Sequence, residues 1–161
     1  MMPLSVSIIT RLQHQHETIS ELIGGLTEEQ LKQRVDPAKW SAFENIVHLS
    51  AYQPVFADRI DRIEKETNPS FDRYIAEKDP LFPVYLEKSL GELIRVIAVD
   101  RSAIAGKFGG MGAETLSRTG LHPKFGLLNM RQWADFFLLH EAHHLFTIFQ
   151  LVQELRKTYV R

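Results

Sequence analysis

The fold is decided most clearly by residues 133–155, which read WADFFLLHEAHHLFTIFQLVQEL. Apolar residues and two histidines recur along this segment at spacings of three and four, which places them on one face of a helix. That face is formed by Trp133, Phe137, His140, His144, Ile148, Leu151 and Leu155. Just before it, Asn129 and Gln132 predict a capping box that starts the helix. A long helix with one apolar face needs other helices to cover that face.

Three further segments show the same periodicity. A first helix is predicted over residues 4–23, ended by two glycines, and a short helix over the capping box at residues 27–30. A second long helix is predicted over residues 43–66, behind a capping box at residues 41–44, and a third over residues 83–107. Residues 115–126 contain Gly and Pro without a helical period and predict a long connection, with room for a short extended pair. We therefore predict a single all-α domain over residues 1–161, a four-helix bundle with one long crossover connection.

Composition excludes several classes of function. The 19 basic and 20 acidic residues nearly cancel, so the net charge gives no general attraction to nucleic acid or to an anionic membrane, although it does not exclude a local basic patch. The absence of cysteine excludes disulfides, zinc fingers, iron–sulfur clusters and thiol nucleophiles. No targeting segment is visible, and charged and polar residues interrupt the longest apolar stretch. We expect a cytoplasmic protein that acts on a small molecule and binds neither nucleic acid nor membrane.

The two histidines on the apolar face of the last helix carry the chemical argument. His140 and His144 are four residues apart, so their Cβ atoms lie about 5–6 Å from each other on one side of the helix. That spacing lets two imidazoles bind one metal ion, and a buried imidazole without a partner is costly. His143 lies about 100° around the helix from His144 and is expected to flank the pair without binding the ion.

A third ligand must come from another helix. His48 is the best candidate, because its neighbours on the second helix are strongly apolar. His16 is a weaker candidate that also fits a role in lining the pocket. Glu44 and Tyr52 lie one turn before and after His48, so each is a candidate for orienting an imidazole or lining the pocket. Glu141 follows His140 directly and is the candidate catalytic residue.

The same residues match the signature of zinc metalloproteases. Residues 140–144 satisfy the pattern His-Glu-x-x-His, in which Glu141 would be the general base. The surrounding sequence does not support a protease, because the extended form of the motif needs Gly and His where Thr147 and Gln150 stand. An all-helical chain also lacks an edge strand to align a peptide. A protease therefore stays a minor alternative.

The chain resembles the DinB-like superfamily over nearly its whole length. The resemblance rests on Trp40-Ser41, on Val47-His48-Leu49, and on residues 140–144 followed by Gln150. It also includes residues 26–31 and residues 123–126. It implies a four-helix bundle in which His48, His140 and His144 bind a divalent ion, nickel or zinc, of uncertain identity. Related members of the family include transferases and isomerases that depend on a low-molecular-weight thiol.

These observations predict a metal-dependent transferase or hydrolase that acts on a small molecule at a three-His site, with a thiol as a further candidate cofactor. The alternative is a non-catalytic metal-binding or stress-associated bundle. We also expect a homodimer, because ten Phe, four Tyr and two Trp exceed what one four-helix core holds.

Overall fold

The computed structural model describes residues 4–159. Their helices are α1 (Val6–His14), α2 (Thr18–Ile23), α3 (Glu28–Leu31), α4 (Ala42–Lys65), α5 (Leu81–Leu86), α6 (Leu90–Gly110), α7 (Ala113–Ser117) and α8 (Met130–Tyr159). Two antiparallel strands, β1 (Thr119–His122) and β2 (Gly126–Asn129), form a hairpin before α8. The predicted four-helix bundle is confirmed, and α1 with α2, α4, α6 and α8 are its four long members.

The helix starts follow the predicted capping boxes. Ser41 accepts from the Glu44 amide at 3.1 Å, and the Glu44 carboxylate accepts from the Ser41 amide at 2.7 Å. Thr27 and Gln30 form the same reciprocal pair before α3, as do Asn129 and Gln132 before α8. Each pair satisfies amides that the first helical turn leaves without a partner, which is why the boundaries of these helices were predictable.

Two predicted helices differ from the structure. The predicted helix over residues 4–23 is interrupted by a 3₁₀ turn at Gln15–Glu17. The predicted helix over residues 83–107 is two helices, since Pro83 lies inside the short α5 and α6 begins at Leu90. The start of α6 is set by a capping box of Ser89 and Glu92.

The packing order of the bundle determines which helices can share a site. Helix α4 packs mainly against α6 and α8, and the α1–α2 helix packs against the same two. The α1–α2 helix and α4 therefore lie diagonally across the bundle. Helices α4 and α8 lie side by side, so their residues can meet in one groove.

Two apolar clusters form the core, and a polar layer separates them along every long helix. One cluster contains Leu12, Phe56, Ile104 and Phe137, and the other contains Ile19, Ile46, Ile97 and Ile148. The polar layer between them consists of Gln15, His16, His48, Gln53, Arg101, His140, Glu141 and His144. Polar groups at this depth need partners, so this layer is where a structural or functional explanation is required.

The hairpin closes one side of the groove between α4 and α8. Its strand β1 lies against α4, where a Cβ on Gly120 would come within 2.7 Å of Ile63. Trp133 donates its indole N–H to the Gly120 carbonyl at 3.4 Å, which fixes the hairpin to α8. The crossover predicted over residues 115–126 contains the first strand of the expected extended pair, and the second strand begins at its end and runs to Asn129. None of the helices between residues 4 and 159 combines the length and apolar character that crossing a bilayer requires.

Candidate metal centre

The three predicted histidines meet in the groove between α4 and α8. The Nε2 atoms of His48 and His140 are 3.1 Å apart, and the ring centroids of His48 and His144 are 4.3 Å apart. One ring nitrogen from each of the three lies within 4.8 Å of the others. Two nitrogens that bind one ion at about 2.0–2.1 Å each are separated by roughly 3 Å, so the spacing of the His48 and His140 nitrogens fits a shared ion.

Asn45 orients one of the three rings. Its side-chain oxygen is 2.8 Å from Nδ1 of His144, and its amide nitrogen donates to the Ser41 carbonyl at 2.8 Å. Because that amide nitrogen is already a donor, the oxygen accepts from Nδ1–H and leaves Nε2 of His144 as the nitrogen with a free lone pair. Hydrogen bonds of this kind fix the tautomer of a histidine that binds metal. Asn45 was missed in the sequence, although its position three residues before His48 on the same helix could have indicated it.

The other two rings have fewer partners. Among residues 4–159, Nδ1 of His48 and Nδ1 of His140 are buried without a hydrogen-bond partner. Their Nε2 atoms face each other, and two neutral imidazoles can share one hydrogen there at most. The described part of the chain therefore leaves both Nδ1 atoms without a partner, while the two Nε2 atoms are close enough to face one common ligand.

Burial keeps all three imidazoles neutral. It lowers the pKa of His48 to about 3, with the nearby His140 adding to the effect. Burial also lowers the pKa of His140 to about 4, assisted by His143 and Arg59, and the pKa of His144 to about 2, assisted by the other histidines. A neutral imidazole is the form that binds a metal ion, so the ligands need no deprotonation near neutral pH.

The cluster forms part of the wall of a large cavity. The cavity has a volume of about 1040 Å³ and is bounded by α4, α8, the hairpin and the loop after α4. Aromatic side chains line much of it, with Tyr52 and Tyr74 on one side of the histidines and Phe136 on the other. A small organic molecule can therefore reach the histidines, which distinguishes this cluster from a closed structural site.

The sequence comparison agrees with this architecture. The model of the DinB superfamily matches residues 11–148 of this chain, a span that includes all three histidines. The chain belongs to the DinB superfamily.

Two individual proteins of Bacillus subtilis are similar to this DinB chain. YuaE of strain 168, an uncharacterized protein, is 28% identical over 153 residues, which cover 88% of this chain and 94% of YuaE. The structure of YfiT is similar with a TM-score of 0.78 at 13% identity, over 94% of this chain and 85% of that one. YfiT is described as a probable metal-dependent hydrolase with an unusual four-helix bundle topology. At this identity, the likeness to YfiT shows the shared fold.

Tyr52 and Glu44 were both predicted to lie near His48 in this DinB bundle, and only Tyr52 does. Tyr52 lies beside the cluster, with its ring 4.8 Å from that of His140, and it lines the cavity as expected. Glu44 does not reach His48, because its carboxylate caps α4 and binds the Arg34 guanidinium. The capping role of Glu44 was visible in the sequence and leaves it no second role at the cluster.

Glu141 points into the bundle and away from the cavity, and His16 of the 3₁₀ turn lies near it. The Glu141 carboxylate is 1% exposed and forms an ion pair with Arg101. It also accepts from the Gln15 side chain at 2.9 Å. His16 lies near the same ion pair, and burial lowers its pKa. The structure therefore does not bring Glu141 or His16 to the three histidines.

This placement corrects the expectation that Glu141 is a catalytic residue. Successive residues of a helix point about 100° apart, so Glu141 faces the bundle axis when His140 faces the cavity. A metalloprotease needs this glutamate beside the metal as a general base, and its ion pair with Arg101 removes it from that position. The protease alternative fails for the same reason.

Proposed function

We propose that this chain is a metal-dependent enzyme that acts on a small molecule at His48, His140 and His144. One observation carries the proposal: three neutral imidazoles converge within 4.8 Å in the wall of a cavity of about 1040 Å³. Catalytic sites of divalent metals combine three protein ligands with an open position, whereas structural sites have four. Within residues 4–159, no fourth His, Asp or Glu joins the cluster.

The residues present fit a divalent ion of the nickel or zinc type. Imidazole nitrogen suits both metals, and His144 is already held in the tautomer that ligation needs. When bound, such an ion supplies Lewis acidity, which activates water or a thiol and polarises a carbonyl group. The chain's own residues position the ligands and surround the substrate with aromatic side chains.

Hydrolysis is the reaction class that we favour, with thiol-dependent transfer as the second candidate. Hydrolysis is supported by the shared fold with YfiT, which is described as a probable metal-dependent hydrolase, and by a cavity large enough for both a substrate and water. Transfer is supported by the width of the same cavity, which also admits a thiol beside the substrate. Catalysis is preferred to simple metal storage because the histidines face an open cavity.

Loading with metal followed by activity assays tests the proposal. Purified protein is loaded with Ni²⁺ or Zn²⁺, metal content is measured by elemental analysis, and p-nitrophenyl acetate hydrolysis and glutathione-dependent conjugation of chlorodinitrobenzene are followed. We expect one equivalent of metal and activity in at least one assay, lost on chelation and in His140→Ala, and retained in His143→Ala. One bound equivalent with a fourth protein ligand in X-ray absorption spectra, and no activity, would favour the non-catalytic alternative.

A homodimer remains part of the proposal. The outer side of α8 exposes Leu139, Phe146 and Phe149, which a second copy could cover. Light scattering that gives twice 18.6 kDa would support the dimer, and 18.6 kDa at every concentration would exclude it.

A further inference from the structure

Among residues 4–159, two arginines are buried, and only one of them has a countercharge. Arg101 is 0% exposed and pairs with the Glu141 carboxylate. Arg59 is 6% exposed, and among residues 4–159 it forms no ion pair with any carboxylate. A buried charge without an opposite charge is costly, so the position of Arg59 requires an explanation.

Neutral groups hold the Arg59 guanidinium in place. One terminal nitrogen donates to the Tyr52 hydroxyl at 3.2 Å, and the other donates to the Asp72 carbonyl at 2.9 Å. The guanidinium also lies over the rings of Phe71 and Trp133, at 5.5 and 5.7 Å from their centroids. A guanidinium has five N–H donors, so these two bonds leave three of them for another partner.

Arg59 lines the same cavity as the three histidines. The Tyr52 ring lies between the two groups, with its centroid 5.9 Å from Cζ of Arg59 and 4.8 Å from the centroid of His140. Because the Tyr52 hydroxyl accepts from Arg59, its own proton remains available as a second donor. A phenolic hydroxyl is protonated near neutral pH, so that proton is present.

The remaining charges of the cavity do not neutralise Arg59. Arg73 and Lys124 are exposed cations of the lining, and Asp72 and Glu77 are exposed carboxylates. These four balance each other, and the three histidines are neutral. The buried guanidinium therefore gives the cavity a net positive charge, and a divalent ion at the histidines would increase it.

We infer that Arg59 and Tyr52 bind an oxyanion, a carboxylate or a phosphate, at one end of a small molecule whose other end reaches the three histidines. The free N–H groups of Arg59 and the hydroxyl of Tyr52 are donors that suit the paired oxygens of such a group. The aromatic side chains of Tyr74 and Phe136 suit an uncharged body between the two ends. The location of the reacting end rests on the proposed function, whereas the anion site does not need the metal.

Ligand titrations of the metal-free protein test the anion site, with benzoate, phenyl phosphate and uncharged benzamide followed by calorimetry. We expect at least one anion to bind, and benzamide to bind at least about tenfold more weakly. The tighter of the two anions identifies the carboxylate or the phosphate as the preferred group. Metal is absent from these titrations, so ligation of the anion to an ion cannot mimic the result.

Substitutions then assign the anion to Arg59. Arg59→Gln should weaken anion binding at least about tenfold and leave benzamide binding unchanged. Arg62→Gln is the matched control, because Arg62 is an exposed arginine of the same helix that already pairs with Glu66. Arg73→Gln, which removes an exposed cation of the lining, should weaken binding far less than Arg59→Gln.

Several outcomes would overturn the inference. These are no binding of either anion to the wild type, equal binding of benzamide, or equal losses in the Arg59 and Arg62 variants. If Arg59→Gln does not fold, the shift of the Arg59 Nε–H resonance during titration of the wild type decides. Anion binding without any metal binding would reject the proposed centre alone, and metal binding without anion binding would reject the anion site alone.

Discussion

His140 and Glu141 are neighbours in α8, yet their side chains belong to two polar clusters with opposite chemistry. Glu141 points to the bundle axis, where it pairs with Arg101 of α6 and accepts from Gln15 of the first helix. Gln53 of α4 completes this cluster by accepting from Arg101 at 3.3 Å. His140 points to the cavity, where it meets His48 and His144.

The two clusters differ in charge and in their access to the cavity. All four long helices contribute to the axial cluster, and its two charges cancel each other. The histidine cluster has no charge and keeps two buried ring nitrogens without a partner within residues 4–159. Three neutral imidazoles that converge in the wall of a cavity indicate a site for a ligand.

The largest expected effect concerns the axial cluster. Glu141→Gln should lower the free energy of unfolding by about 3–5 kcal/mol, because it leaves the Arg101 guanidinium buried without a countercharge. Denaturant titration measures this loss, and metal stoichiometry should stay at the wild-type value. Glu66→Gln, which breaks an exposed pair with Arg62, is the control and should have little effect. A change below about 1 kcal/mol for Glu141→Gln would contradict a stabilising role for the axial pair.

The second prediction concerns the histidine cluster. His144→Ala should weaken metal binding by at least about 100-fold, because it removes one of three ligands. Loss of a ligand costs more affinity than loss of a residue that only hydrogen-bonds to a ligand. Elemental analysis after dialysis measures the loss. His143→Ala, at an exposed position of the same helix, should retain a full equivalent of metal. Full retention in both variants would reject the three-ligand assignment.

The third prediction separates the two clusters on one helix. Asn45→Leu should weaken metal binding by about 10–100-fold, since His144 loses the acceptor that fixes its tautomer. Gln53→Leu, two turns further along α4, removes a partner of Arg101 and should lower stability without changing metal affinity. Competition with a chromophoric chelator measures both affinities. Equal losses of affinity in the two variants would mean that the clusters are not independent.

The smallest expected effect is a pH dependence of the metal-free protein. The pKa of His140 is about 4 in the fold and near 6.5 in the unfolded chain, so the unfolded state takes up protons first as pH falls. The stability contributed by neutral His140 is therefore present above about pH 6.5 and is lost towards pH 4. His140→Ala should flatten this loss by about 1 kcal/mol between pH 6.5 and 5.5 in denaturant titrations. Parallel profiles for the two proteins would show that His140 is not buried in its neutral form.

Local signals account for the parts that were predictable from the sequence. The start of α4 was marked by Ser41 and Glu44, and the start of α8 by Asn129 and Gln132, since a capping box is formed within four residues. The break between α5 and α6 was missed because the apolar periodicity continues from Leu86 to Leu90 across the capping residue Ser89.

Only part of the candidate site could be predicted in the same way. Spacing on α8 placed His140 and His144 on one face, and the apolar neighbours of His48 indicated an inward position on α4. Asn45 and Arg59 were missed because their importance depends on partners outside their own helix. Asn45 contacts His144 of α8, and Arg59 contacts the loop after α4.

The sequence by itself determined the four long apolar faces of the bundle, the starts of α4 and α8 and the pair of histidines on α8, because periodicity and capping act over a few residues. The tertiary structure decided the rest. It placed α4 beside α8, so that His48 completes the cluster, and it placed Arg101 opposite Glu141, which turned a candidate general base into half of an ion pair. Such pairings depend on how helices pack side by side, and no spacing within a single helix determines that.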